Sequence, residues 1–188
     1  MRFMKQFAYL ILLALMLWQC RPKQPDTSPV QFAGKPDVPS SIKQEHELLL
    51  RQIHQLTLFQ DSTGIKAKEL SDLMKNHFQE EEDFVLPPLG LLPSLSRGHL
   101  PEASDDIALL IEKFRSQAAH MSAEHQLIKA FFNELREAAK EDGHPEVDVL
   151  ADAVHKHAEV EEQVYYPTVI LIGEYLELRG SQDRSAGQ

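Results

Sequence analysis

At 188 residues the chain is long enough for one domain with accessory segments and a real apolar core. Its 29 acidic residues against 19 basic ones leave a formal charge of −10, which argues against nucleic acid as a partner and reads most simply as a solubility device. Only 8 glycines, with plentiful Glu, Leu, Ala, Lys and Gln, lean the composition toward helix.

The first segment begins with Arg2 and Lys5 and continues into the apolar run "FAYLILLALMLW" at 7–18, too short to span a bilayer comfortably. It ends in "LWQC", Leu17 to Cys20, and resembles a bacterial lipoprotein signal. That resemblance implies a signal peptide at 1–19, cleavage before Cys20, lipid on Cys20, and a membrane-anchored, extracytoplasmic setting. As the only cysteine, Cys20 excludes a disulfide within one chain. Residues 20–40 are rich in proline and polar groups and read as a tether.

The folded part is expected at 41–179. Ser41 with Gln44 forms a capping-box pattern, and Leu49, Leu50, Ile53 and Leu56 give the first helix its stripe, to about Phe59. "DSTG" at 61–64 breaks it. A second helix is predicted from Ile65 to Leu86, with Leu70, Leu73 and Met74 on one face, ended by Pro87 and Pro88. A loop to Ala103 follows. A third helix starts at Ser104, runs to about 141–145 and is expected to bend in "SQAAHMS". The fourth begins near Pro145, carries Leu150, Val154 and Val164, and is kinked or interrupted at Pro167. The tail at 180–188 reads as disordered. These elements predict an all-α, antiparallel four-helix bundle.

The two halves of the bundle repeat. "EHELL" at 45–49 matches "EHQLI" at 124–128, and "HFQEEEDFVLP" at 77–87 matches "HAEVEEQVYYP" at 157–167. His46 and His77 are 31 positions apart, His125 and His157 are 32 apart, and histidine fills only 9 of 188 positions. Such register predicts two similar helix-hairpin halves about an approximate twofold axis.

Helical spacing points the repeated polar groups into the apolar seam. His77 lies seven after Leu70 and Glu81 four after His77; His157 lies seven after Leu150 and Glu161 four after His157; His125 lies four after Met121; His46 precedes Leu49 and Ile53. Burying these six groups without partners would cost several kcal/mol each. A metal offsets that cost, because neutral imidazole and ionised carboxylate are natural ligands. Two carboxylates shared among four imidazoles suit two non-haem iron ions, with zinc or manganese less suited. Glu45, Glu82, Glu124 and Glu162 sit one step round, facing solvent or supporting the ligands from behind.

These residues resemble the hemerythrin-like family, the HHE domain. The motif is His46, His77-x-x-x-Glu81, His125 and His157-x-x-x-Glu161, and the match covers about 42–175. The resemblance implies a di-iron centre with Glu81 and Glu161 bridging and the four histidines as terminal ligands. It implies binding of a small diatomic ligand such as dioxygen or nitric oxide, or iron handling and sensing. The oxygen-carrying branch has a fifth histidine four residues from the third-helix ligand, where this chain has Met121 and Lys129. His120 would need a π-bulge to turn inward. An open metal position favours the alternative reading, a redox enzyme acting on peroxide or nitric oxide. A metal-free interaction bundle is what remains if no iron is held. Tyr165 and Tyr166 are expected to pack near the site as core or rim.

Overall fold

The computed structural model describes residues 36–99 and 104–186; the signal segment, Cys20 and most of the tether lie outside them. Helix α1 (Ser40–Leu56) is joined by a short turn to α2 (Ser62–Glu80), which continues as a π-turn over Glu81–Val85. A 3₁₀ turn (Pro87–Leu91) and the short α3 (Leu92–Leu95) follow. The long α4 (Ser104–Asp142) turns back through Gly143 into α5 (Glu146–Val160). A second π-turn, Glu161–Tyr165, leads into α6 (Tyr166–Ala186). Helices α1, α2, α4 and α5 each pack on two neighbours and close a ring, the four-helix bundle expected. There is no strand among the described residues.

Several local expectations are corrected. No capping box forms at Ser41 and Gln44. The helix starts at Ser40, on Pro39, whose carbonyl receives the Ile42 and Lys43 amides, so Ser41 already lies in the first turn. Val38, placed in the tether by its surroundings in sequence, is buried against the bundle. The stretch after Pro87 is not an open loop. Pro87, Pro88, Leu89 and Leu91 are buried and cap one end of the bundle. Helix α4 is helical throughout 116–122. Pro167 does not interrupt the fourth helix, because the π-turn just before it already takes the backbone out of i→i−4 bonding where its missing N–H would be felt. Helix α6 also continues past Gly180, through residues of fair helix propensity.

The ends of the two hairpins are tied together. Asp61 caps α2 by accepting from the Gly64 amide at 3.1 Å. Asp142, in the last turn of α4, accepts from the Thr63 amide and hydroxyl, both at 2.8 Å, and from the Ser62 hydroxyl at 2.7 Å. Gly143, at φ 84°, takes the left-handed conformation that ends α4. His144 then stacks on Phe59 and donates to Asp61 at 2.7 Å.

The core falls into two apolar clusters. One, at the end with the short connections, holds Ile53, Leu70, Met74, Ile128, Phe132 and Leu135. The other, at the capped end, holds Ile42, Val85, Leu86, Ile107, Phe114 and Met121. Burial of each large side chain is worth about 1.5–3 kcal/mol. Read along any of the four helices, the six polar residues fall between members of the two clusters, so they form one buried polar layer.

Candidate metal centre

All six polar residues are buried, with His157 the most exposed at 4% and both glutamates at 0%. They converge as two four-donor groups that share both carboxylates: His46 and His157 with Glu81 and Glu161, and His77 and His125 with the same two glutamates. In the first, His46 Nε2 lies 3.6 Å from Glu81 Oε2 and 3.5 Å from Glu161 Oε1, and His157 Nε2 lies 3.0 Å from Glu161 Oε1. In the second, His77 Nε2 lies 3.5 Å from Glu81 Oε1 and 3.0 Å from His125 Nε2, which lies 3.3 Å from Glu161 Oε2 and 3.9 Å from Glu81 Oε1. Each carboxylate thus sends one oxygen to each group.

The outer nitrogens are spoken for. His46 Nδ1 donates to Glu82 at 2.9 Å, His77 Nδ1 to Glu124 at 3.0 Å and His125 Nδ1 to Glu162 at 2.9 Å; His157 Nδ1 faces Glu45 at 3.3 Å. Each donation fixes the tautomer and leaves the Nε2 lone pair aimed at the centre. The four glutamates come from the positions beside the ligands, as the sequence placed them. Phe78 stacks flat on His46 at 3.9 Å and holds its ring.

The donor set fits a pair of cations. His46 Nε2, His157 Nε2, Glu81 Oε2 and both Glu161 oxygens are buried without a hydrogen-bond partner. Orphaned atoms of this kind are costly unless an ion satisfies them. Donors around an octahedral ion at bonds of about 2.1 Å lie about 3.0 Å apart when adjacent and about 4.2 Å when opposite. The separations above fall within or near that range.

The electrostatics of the layer differ from donor to donor. Burial, then the neighbouring Glu161 charge, holds Glu81 well above the usual carboxylate range. Burial pushes Glu161 upward too, but the imidazoles of His125, His157 and His46 around its carboxylate outweigh it and hold it well below that range. Burial lowers His77 to about 4 despite its bond to Glu124, so it stays neutral and able to bind a cation. At His157, burial is outweighed by Glu161 and Glu45, and its pKa is raised.

Other histidines stay out. His120 is 49% exposed, 3.6 Å from Glu80 and from Glu124, and no π-bulge turns it inward. The π-turns fall instead at Glu81 and Glu161, and such turns often mark functional sites. Met121, in the fifth-histidine position, is fully buried in the apolar cluster. One residue has a closer part than the sequence gave it. The Tyr166 hydroxyl donates to Glu81 Oε1 at 2.6 Å and lies 3.5 Å from His125 Nε2, with its ring stacked on that imidazole. The signal was in the repeat, where Tyr166 answers to Leu86.

A helical bundle with a buried layer of paired His and Glu donors defines a class of cation-binding protein. A family model, the hemerythrin HHE cation binding domain, matches residues 37–169, and the chain belongs to that family. No curated protein and no solved structure matches the chain.

Proposed function

We propose that this protein is a non-haem di-iron hemerythrin-like protein that binds dioxygen or a related small ligand, or senses or handles iron, while anchored to a membrane on its extracytoplasmic side through Cys20. The observation that carries the reading is the pair of four-donor groups sharing Glu81 and Glu161. His46, His77, His125 and His157 would hold the ions together with Glu81 and Glu161, whose carboxylates each send one oxygen to each group. Bound iron supplies one-electron chemistry and open positions for a diatomic ligand.

The chain's own residues do the rest. The glutamates behind the imidazoles fix which nitrogen faces the centre. The two apolar clusters keep bulk water away. A surface cleft of about 560 Å³ between α1 and α2, lined in part by Lys43, His46, Phe78 and Glu82, offers a small ligand an approach. A second reading, reduction of peroxide or nitric oxide at the same centre, is favoured by Met121, which leaves the fifth-histidine position without a nitrogen donor.

Elemental analysis of the purified full chain should find iron near two per chain. A visible band that forms in air and reverses at low oxygen supports binding, and sustained peroxide or nitric oxide consumption supports the enzyme. No metal after careful reconstitution would discard both readings. Labelling with a lipid precursor, lost in Cys20→Ser, tests the anchor.

A further inference from the structure

The two halves of the centre are not equivalent, and Tyr166 is the reason. Under the repeat, His77 answers to His157, Glu81 to Glu161, Pro87 to Pro167 and Leu86 to Tyr166. The approximate twofold would therefore place at the His46–His157 side what Tyr166 places at the His77–His125 side, and there the chain has a fully buried leucine. We propose that Tyr166 is a further protein ligand, bound through Oη to the ion held by His77 and His125 and to that ion alone.

Three observations carry this. First, Oη is 2.6 Å from Glu81 Oε1 and 3.5 Å from His125 Nε2, both donors of the same group. Those are separations of adjacent donors around one octahedral ion, about 3.0 Å. Second, the backbone is shaped to deliver the side chain. Five residues past Glu161 on an ideal α-helix would lie about 140° round the axis. The π-turn Glu161–Tyr165 bonds the Tyr166 amide to the Glu161 carbonyl and brings residue 166 back over the glutamate. Third, Tyr166 is only 7% exposed, so its hydroxyl is confined to the layer of His and Glu donors.

On binding, the Oη–H bond breaks, the Oη–metal bond forms, and the proton passes to solvent water; no electron is transferred. The result is an asymmetric pair. The His77–His125 ion has five protein donors, with two carboxylate oxygens, two imidazoles and one phenolate. The His46–His157 ion would have four, with a leucine at the position that answers to Tyr166. Exogenous ligands are thereby directed to the His46–His157 ion, the one nearer the Lys43–Phe78 cleft.

The inference rests on the di-iron reading and is tested separately from it. Full-length protein is loaded with ferrous iron and oxidised to the ferric state. The expected result is a phenolate-to-iron absorption band, with tyrosine ring vibrations enhanced on excitation in that band and shifted when the protein carries ring-deuterated tyrosine. Tyr166→Phe should lose band and vibrations while iron stays near two per chain, and Tyr165→Phe should keep them. Wild-type protein holding two irons without ring vibrations would overturn the inference and leave the di-iron reading standing. A band that survives in Tyr166→Phe would overturn it as well. Should Tyr166→Phe fail to fold, the isotope shift in wild type together with the Tyr165→Phe spectrum still decides the matter. Protein that takes up no metal would sink both.

Discussion

His77 and His125 point their Nε2 atoms at each other across 3.0 Å, while the Nδ1 of each donates to a glutamate behind it. Two imidazoles so fixed present lone pair to lone pair, an arrangement that needs a cation between or beside them. His77→Ala removes one of the pair and, on the di-iron reading proposed above, should lower bound iron from about two per chain to about one or less. Iron analysis on purified protein checks this, and unchanged content would discredit the ligand assignment.

The glutamates behind the rings make a graded prediction. Glu124→Ala frees His77 to rotate and to change tautomer, and should weaken metal binding about 10–100-fold, as losses of such supporting groups do. Glu80→Ala, whose partner is the half-exposed His120, should leave affinity within a few-fold. Competition titrations against a chelator of known affinity compare the two.

Metal and fold should be coupled. The orphaned donors of the central layer cost stability until an ion satisfies them, and an ion that binds only the native state stabilises by mass action, about 4 kcal/mol at a thousand times Kd. Thermal unfolding of metal-loaded and chelator-treated protein should show the loaded form melting higher. Equal melting temperatures would mean that the layer binds no ion.

The Asp61–His144 pair gives a pH-dependent stability with a definite sign. Its hydrogen bond to Asp61, opposed by a smaller burial effect, raises the His144 pKa above the ordinary 6.5. The charged imidazolium is therefore favoured in the folded state, so the contribution is full below pH 6.5 and fades as pH rises through the raised value. Asp61→Asn keeps a side-chain oxygen to cap α2 but loses the charge. Wild type should exceed this variant in stability most at mildly acidic pH, with the gap narrowing in alkali; a gap constant with pH would refute the coupling.

Gly64 sits where α2 begins beneath the end of α1, and a Cβ there would lie 2.0 Å from the Phe59 carbonyl oxygen. Backbone cannot yield as a side chain can. Gly64→Ala should cost about 1–3 kcal/mol in chemical denaturation, with iron per folded chain unchanged.

The bundle and the polar layer could be read from the sequence because both rest on periodicity. His77 and Glu81 stand on the same stripe as Leu70, and the second half repeats the arrangement at Leu150, His157 and Glu161. Periodicity fails where the helix changes pitch. Val164 was expected inward, seven after His157, yet it is 52% exposed, because the π-turn adds a residue between ligand and valine. The same turn makes Tyr166 a neighbour of Glu81, which α-helical counting does not foresee. Asp142 capping the start of α2 across 79 positions was equally out of reach of local patterns. His120 shows the converse: it would need a π-bulge to turn inward, and the chain places its π-turns at Glu81 and Glu161.

Each π-turn opens on the glutamate it displays and closes two residues before a proline. Everything upstream sets the grip on the cations, and everything downstream is swung as a block by the extra residue. One side chain beyond the turn can therefore be exchanged, leucine for tyrosine, while the grip is left alone. A duplicated hairpin built this way can drift apart in reactivity long before it loses its capacity to bind.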